Sequence, residues 1–483
     1  MTTQPYDVAI VGAGFTGSAL AVNLLRALPD GSRLLLLGSP RATGRGLAYG
    51  TTNAAHMLNV RAGRMSLFAD DAPHFVRWLA ASPDYGAMSQ SEIADRYIPR
   101  PVYGRYVEAT LREAIAEAAG RIHIDLVEGT ATELQRLDRS FEVRAASGVR
   151  YAARALALCL GNHAAGFPFP SEAVATPARP HLIAEPWSDP RLDAIPDNAR
   201  VLLIGTGLTM VDQVLTLAGR GHTGPLTALS RHGLLPQAHL VTRSDLRALP
   251  MPSGPASIRR LFRSIVAAAR SAEADGGDWR SIVDGLRADT QDIWRSLDLA
   301  SRRRFLRHVE AFWSVHRHRM APSVAAEIGA LRDSGRLSLR AGRVLAVSKA
   351  ANGLTVAFRE RGERTISLLP FDWVINCSGV RTALRTDPLL GSLTRLGLAR
   401  GDTLGRGLEV NERAEVIGQN GSPTAGLFAL GPLTAGCFLE ITAVPEIRHQ
   451  CAAVAAELAR LTADCANPVR RLAAETPRLR IRR

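Results

Sequence analysis

Two glycine clusters carry the residue types and spacing needed to bind a dinucleotide. In Gly12-x-Gly14-x-x-Gly17 the first glycine permits a tight turn. The second lets the backbone approach a pyrophosphate, and the third lets helix and strand pack closely. A helix opened by such a turn supplies free N–H groups and a partial positive charge to the anion. Gly205-Thr206-Gly207-Leu208-Thr209-Met210 repeats the first two glycines and puts Met210 where the third would stand. The second strand of such a unit normally ends in an acid that holds ribose hydroxyls. The first copy has Leu37-Gly38-Ser39-Pro40-Arg41 there, leaving Ser39 or backbone groups to substitute. The second copy has Ser230-Arg231. A hydroxyl and a guanidinium suit a 2′-phosphate, which an acid would repel. The plain alternative is a surface Ser-Arg in an arginine-rich chain.

Other chemistry is excluded by type and spacing. The cysteines are Cys159, Cys377, Cys437, Cys451 and Cys465, with no C-x-x-C pair, so a zinc ribbon and a dithiol redox pair are ruled out. Reduced, mostly buried thiols are expected. His316-Arg317-His318 lacks a carboxylate or cysteine at ligand spacing and reads as a helix-end basic cluster, not a metal site. Lys349 is the only lysine, and no Gly-Lys pair exists, so a phosphate loop is absent.

The elements that must position the glycines form an internal repeat. Tyr6 to Val11 reads as a strand, the glycine turn opens a helix ending near Leu28, and Arg33 to Leu37 is a second strand. Arg200 to Ile204, a helix to about Ala218 and Leu226 to Ser230 repeat the unit. Each copy is trailed by a strand, a hairpin and a strand ending in glycine: Arg121 to Val127, Asp138-Arg139-Ser140 and Ala155 to Gly161, then Arg336 to Leu339, Asn352-Gly353 and Trp373 to Gly379. The fold class is therefore α/β, with two Rossmann-like dinucleotide-binding domains. Each copy carries an insertion. The first, from about Gly44 to Gly120, ends in an amphipathic helix over Val102 to Ala119. The second, Pro236 to Ser334, is nearly all helical, with apolar stripes that read as a cap packed on itself and its domain. The expected division is 1–165 with 375–462, 195–240 with 330–374, a helical insertion over 241–329 and a basic tail over 463–483.

Of 483 residues, 59 are basic and 45 acidic, giving a net charge of +14. Nearly all of the basic residues are arginine, which reads as a solvated surface in place of a nucleic-acid partner. No run of 18 apolar residues spans a bilayer, and the start of the chain has no secretory pattern. A cytoplasmic protein is expected. Arg302, Arg303, Arg304, Arg307 and Arg317 on the insertion permit an anionic substrate, or simply a charged face.

Several segments together resemble a bacterial FAD/NAD(P)-binding protein family related to flavin-containing monooxygenases and N-hydroxylases. They are Gly12 to Gly17, Gly44-Arg45-Gly46-Leu47-Ala48-Tyr49-Gly50, His56-Met57-Leu58-Asn59-Val60 with Arg64-Met65-Ser66, and Pro99 to Gly104. Gly205 to Asp212, Ser230 to Pro236 and Leu427 to Pro432 complete them. The resemblance implies FAD in the first copy and a nicotinamide site in the second. It assigns Gly12, Gly14, Phe15, Thr16, Gly17, Ser39, Arg45, Ala131, Gly161, Gly431, Thr442 and Ala443 to the first site. Gly205, Gly207, Thr209, Ser230, Arg231 and Gly379 fall to the second. Pro432 replaces the acid that related flavoproteins carry after Gly431. His56 and Asn59 are candidates for the reacting centre, where they either reach the flavin edge or cap a loop. Glu440 and Cys437 precede the last helix, and Cys437 reads as a buried small hydrophobe. The expected function is an FAD-dependent oxidoreductase with NADPH as hydride donor, a monooxygenase on a small molecule. The alternatives are a flavin reductase without oxygen insertion and a non-catalytic nucleotide sensor.

Overall fold

A computed structural model describes residues 4–466 apart from 40–42, 165, 243–245, 248–256, 382–383 and 385. Most of the basic tail expected over 463–483, from residue 467 on, lies outside the described residues, as do Pro40 and Arg41. The first βαβ unit is β1 (Tyr6–Val11), α1 (Phe15–Ala27) and β2 (Arg33–Gly38). Helices α2 (Gly46–Tyr49), α3 (His74–Ala80), α4 (Gln90–Asp95) and α5 (Arg100–Glu117) fill the first insertion before β3 (His123–Glu128). A hairpin of β4 (Ala131–Arg136) and β5 (Phe141–Ala145) leads into β6 (Arg150–Leu158), followed by β7 (His163–Ala164) and β8 (Leu182–Ile183). The second unit is β9 (Val201–Ile204), α6 (Leu208–Gly219) and β10 (Leu226–Ser230).

The second insertion holds α7 (Ile258–Ala274), α8 (Arg280–Gly285), α9 (Thr290–Ser296), α10 (Leu299–His308), α11 (Glu310–Arg317) and α12 (Pro322–Asp333). Strands β11 (Leu337–Ala350), β12 (Gly353–Glu360), β13 (Ser367–Phe371) and β14 (Trp373–Asn376) close that unit. The chain ends through β15 (Val380–Arg381), α13 (Pro388–Arg395), β16 (Glu415–Ile417), β17 (Pro423–Ala429) and α14 (Val444–Ala466).

The described residues form two large sheets and a two-stranded ribbon of β7 and β15, and the parallel cores of the large sheets share one order. The first runs β3-β2-β1-β6-β17 and the second β11-β10-β9-β14-β8, all neighbours parallel. Val8 to Val11 and Leu34 to Leu37 are all buried, because both faces of a parallel sheet are covered and its strands become unbroken apolar runs. On one face of the first sheet lie α1, α5 and α14; on the other, the β4–β5 hairpin and α13. The second sheet is covered by α6 and α12 on one side and by its own hairpin on the other.

The two glycine turns are built alike. Gly12 has φ +109° and Gly205 φ +112°, both in the region that favours glycine. A Cβ at Gly12 would lie 2.2 Å from the Cys159 carbonyl oxygen, and one at Gly205 would lie 2.1 Å from that of Cys377. The two cysteines thus end equivalent strands and are buried as packing groups.

Two expectations are corrected. Residues 375–376 pair within the second sheet, as does β8, upstream of the boundary expected at 195. The helical insertion packs on itself, yet its side chains also anchor on the first unit. Trp294 Nε1 donates to the Gly436 carbonyl at 3.2 Å, Gln291 donates to that of Leu439 at 2.6 Å, and Arg287 binds both oxygens of Glu446 at 2.7 Å. These partners lie about 150 residues away in sequence, beyond what helical periodicity reports.

Candidate dinucleotide cleft and adjoining cavity

The first glycine turn opens onto a cavity of about 330 Å³. Gly12, Gly14, Phe15, Thr16, Ser39, Arg45, Ala131, Gly161 and Thr442 all line it. Five separate stretches of chain, around residues 12–16, 39–45, 131, 161 and 442, therefore meet where the repeat predicts a nucleotide. Gly14 caps α1 with no side-chain hydrogen bond, and the first turn of α1 holds no acid, so its N–H groups and dipole are available to an anion. Gly17 sits behind this wall, where a Cβ would lie 1.7 Å from the Gly12 carbonyl oxygen. It serves helix–strand packing. Gly431, with φ +68°, packs on Thr16: a Cβ there would lie 2.8 Å from the Thr16 hydroxyl.

The Gly44 to Gly50 and Pro99 to Gly104 segments explain each other. Helix α2 lies across the glycine turn, and a Cβ at Gly104 would lie 2.4 Å from the Tyr49 carbonyl oxygen. Arg45 donates from Nε to Glu108 of α5 at 3.0 Å. The rings of Tyr49 and Tyr103 are 4.7 Å apart, and those of Phe15 and Tyr49 are 5.7 Å apart. Burial pushes the Tyr49 phenol up to about 12, so it stays protonated. Two residues beyond the sequence expectation join this site. Gln450 on α14 accepts from the Gly431 N–H at 2.7 Å. Asp387, which caps α13 by accepting from the Leu390 N–H at 3.0 Å, also lines the cavity. Only the tertiary fold brings them there.

His56 and Asn59 part company. The His56 Nε2 is 2.8 Å from the Thr216 hydroxyl and 3.1 Å from the Asp212 carbonyl, while Nδ1 is 2.8 Å from the Thr51 hydroxyl. His56 lines neither this cavity nor the one below. Burial, then the charge of Arg100, pushes it down to about 4, so it is neutral near pH 7. It belongs to the joint between the two units, where it ties the 51–56 loop to α6. Asn59 lines a second cavity of about 340 Å³, where its carbonyl takes a 2.9 Å hydrogen bond from His239. Ala443 lines this second cavity, while its neighbour Thr442 lines the first. Adjacent residues just before α14 thus line the two cavities.

Glu440, with φ +60°, stands just before that helix. It accepts from Trp313 at 2.7 Å and from Arg317 at 2.9 Å. Burial raises its carboxyl, but the charges of Arg317, His318 and Arg287 with the Trp313 hydrogen bond together hold it below the usual range. Cys437 is half-buried, its sulfur taking the Val410 N–H at 3.4 Å. Of the insertion arginines named from sequence, only Arg317 lines a described cavity. Arg302 is spent on the Trp294 and Arg295 carbonyls.

The second glycine turn is more exposed. Gly207 caps α6 with no side-chain bond, and a Cβ there would meet nothing within 4 Å. Met210 is fully buried in the second core. Thr209 is half-buried and Gly379 exposed. The Ser230 hydroxyl is held internally: it is 2.9 Å from that of Thr206 and accepts from the Gly233 N–H at 3.0 Å. Arg231 is exposed. Burial, then the charges of Arg361 and Arg231, hold His232 below its ordinary value, which puts both guanidiniums around the end of β10.

Residues 9–163 match the family described as FAD-NAD(P)-binding. No curated protein matches the sequence. Among solved structures, the chain is similar to an L-lysine 6-monooxygenase from Pseudomonas syringae at 20% identity and a TM-score of 0.64, covering 94% of this chain and 99% of that one. It is also similar to an ornithine N-hydroxylase from Kutzneria, with 15% identity, a TM-score of 0.60 and coverage of 95% and 100%. An FAD-bound cadaverine monooxygenase from Erwinia amylovora gives 13%, 0.62, and coverage of 94% and 95%. These likenesses show that the two-unit fold with its insertions is shared over nearly the whole chain. No helix among the described residues is long and apolar enough to cross a membrane.

Proposed function

We propose that the chain is an FAD-dependent oxidoreductase that takes hydride from NADPH and hydroxylates the nitrogen of a small amine. The observation that carries this reading is the placement of Thr442 on the glycine-turn cleft and of its neighbour Ala443 on the second cavity. It sets a wall residue of the glycine-turn cleft next in the chain to a wall residue of a cavity lined from both insertions. The likeness to three amine monooxygenases supports the same reading.

FAD fits the first cleft on the chain's own geometry. Gly12 lets the turn pack against the Cys159 backbone, Gly14 leaves open the approach that a side chain would fill, and the uncapped start of α1 suits a pyrophosphate. The residues that would hold it are Gly12, Gly14, Phe15, Thr16, Ser39, Arg45, Ala131, Gly161 and Thr442. Bound there, FAD supplies the redox chemistry, passing electrons from NADPH to oxygen, with one oxygen atom going to the substrate nitrogen and the other to water. The chain's part is to bind, orient and enclose. The start of α14 offers a positive dipole end to negative charge developing in the cofactor. The turn at Gly205 and Gly207, with Arg231 and Arg361, would hold NADPH.

The test is direct. Purified protein should carry stoichiometric non-covalent FAD that NADPH bleaches without air. Readmitted oxygen and an amine should then give a hydroxylamine. Bleaching without product would favour the reductase reading, and a colourless protein that takes up no flavin would sink both.

A further inference from the structure

The second cavity is walled by Arg61, Arg64, Arg280, Arg287, Arg317 and Arg319, and among the described residues its only acidic wall residue is Asp284. Several of these charges are answered from outside the wall: Arg61 by Asp95, Arg280 by Asp278, Arg287 by Glu446 and Arg317 by Glu440. Arg319 is different. It is 1% exposed, and its Nη2 alone takes both Asp284 oxygens, at 2.5 and 2.6 Å. Arg317 shares the same carboxylate at 3.5 Å.

The Nε and Nη1 of Arg319 and the Nη2 of Arg317 are buried with no hydrogen-bond partner. Buried guanidinium donors are ordinarily satisfied, since leaving one unpaired costs its full desolvation. Burial raises the Asp284 carboxyl, yet hydrogen bonding and charge from Arg319 override it and hold it below the usual range. That acid is therefore already committed, and a free ammonium would find no uncommitted acid among the described wall residues. A carboxylate supplies what two adjacent guanidinium forks lack: paired acceptors in matching geometry.

We propose that this cavity is an anion site in which Arg317 and Arg319 hold the carboxylate of a small substrate whose other end reaches the nucleotide cleft. The inference rests on reading that cleft as the redox centre, and it narrows the substrate to carboxylate-bearing amines. A plain diamine falls outside the class.

The experiment is isothermal titration of the full FAD-loaded chain with hexanoate, 6-aminohexanoate, cadaverine and inorganic phosphate. Hexanoate and 6-aminohexanoate should bind, and cadaverine should not. Arg319→Met should weaken both carboxylates by about 10- to 100-fold, the usual worth of a charge-assisted contact. Because that change strands Asp284, Arg319→Met/Asp284→Asn removes both charges together and should show the same loss with flavin content retained. Cadaverine binding as well as 6-aminohexanoate would overturn the proposal. So would phosphate binding tighter than hexanoate, or hexanoate affinity unchanged in both variants. If hexanoate binds but no amine is hydroxylated, the anion site stands and the hydroxylase reading falls.

Discussion

Arg100, the first residue of α5, meets Asp212 of α6 at 2.9 Å, joining the two nucleotide units through side chains only 11% and 6% exposed. Around this pair, Arg100 donates to the Met57 carbonyl at 3.2 Å and lies 5.5 Å from the centre of the Trp187 ring. Asn53 reaches the Thr216 hydroxyl at 3.2 Å, beside His56. The joint is thus made of the 51–57 loop, Trp187, the start of α5 and one face of α6.

Burial pushes the Asp212 carboxyl up to about 6, against the pull of Arg100. Replacing Arg100 by Met would leave that carboxylate buried and unpaired. Loss of one partner of a buried ion pair costs about 3 kcal/mol or more. The deficit should be greatest near pH 8, where the carboxyl must be ionised, and should shrink near pH 5.5, where the variant can protonate it. Denaturant midpoints at the two pH values measure this, and a pH-independent deficit would count against the pair.

His56 and His239 are both pushed down from 6.5 to about 4, first by burial and then by arginine charge. In the folded state they bind fewer protons than in the unfolded state, so their contribution is present above pH 6.5 and is lost as pH falls toward 4. Asp212 acts oppositely, since its raised value makes its contribution fade as pH rises through about 6. Two histidines should outweigh one acid, and the melting temperature should fall between pH 7 and pH 5. His56→Gln/His239→Gln should flatten that slope. An unchanged slope would show that other groups set the acid limit.

The glycine turns, the repeat and the order of elements were legible because each is local: a glycine spacing, an apolar run, a hairpin signal. The roles of His56 and Asn59 were not legible. Three residues apart in the chain, they fall in a joint and in a cavity, a split decided by contacts to Thr216 and His239. The arginine wall was missed for a similar reason. It draws on residues 61–64, 280–287 and 317–319, while the dense run Arg302-Arg303-Arg304, which stands out in sequence, faces elsewhere.

Gly14 separates binding from folding better than its neighbours do. Its φ of −71° is open to any residue, and a Cβ there meets only the Gly46 Cα, at 3.4 Å. Gly14→Val should leave circular dichroism unchanged and strip the flavin by filling the approach to the pyrophosphate. Gly17→Val, with its Cβ driven onto the Gly12 carbonyl oxygen, should instead cost the fold. Full visible flavin absorbance in Gly14→Val would remove the first cleft from the mechanism.

The choice of nicotinamide turns on the end of β10. Ser230 was expected to share the 2′-phosphate with Arg231, but its hydroxyl is held by Thr206 and Gly233, so discrimination falls to guanidinium charge. Arg231 has company, because the Arg361 N–H bonds the Ala341 carbonyl at 2.9 Å, and Ala341 pairs with Ser230 across β10 and β11. A charge-assisted contact to phosphate is worth about 1.5–3 kcal/mol. At about 1.4 kcal/mol per tenfold, that is roughly a 10- to 100-fold preference for NADPH over NADH. Arg231→Ala should raise KM for NADPH by that order, and Arg231→Ala/Arg361→Ala should raise it further. NADH should be nearly unaffected, since it has no 2′-phosphate to lose. Flavin content should hold in both variants, because neither residue lines the first cleft. Stopped-flow reduction of the flavin with each cofactor reads the preference directly. Equal rates with NADH and NADPH in the unmutated protein would show that neither arginine meets the phosphate.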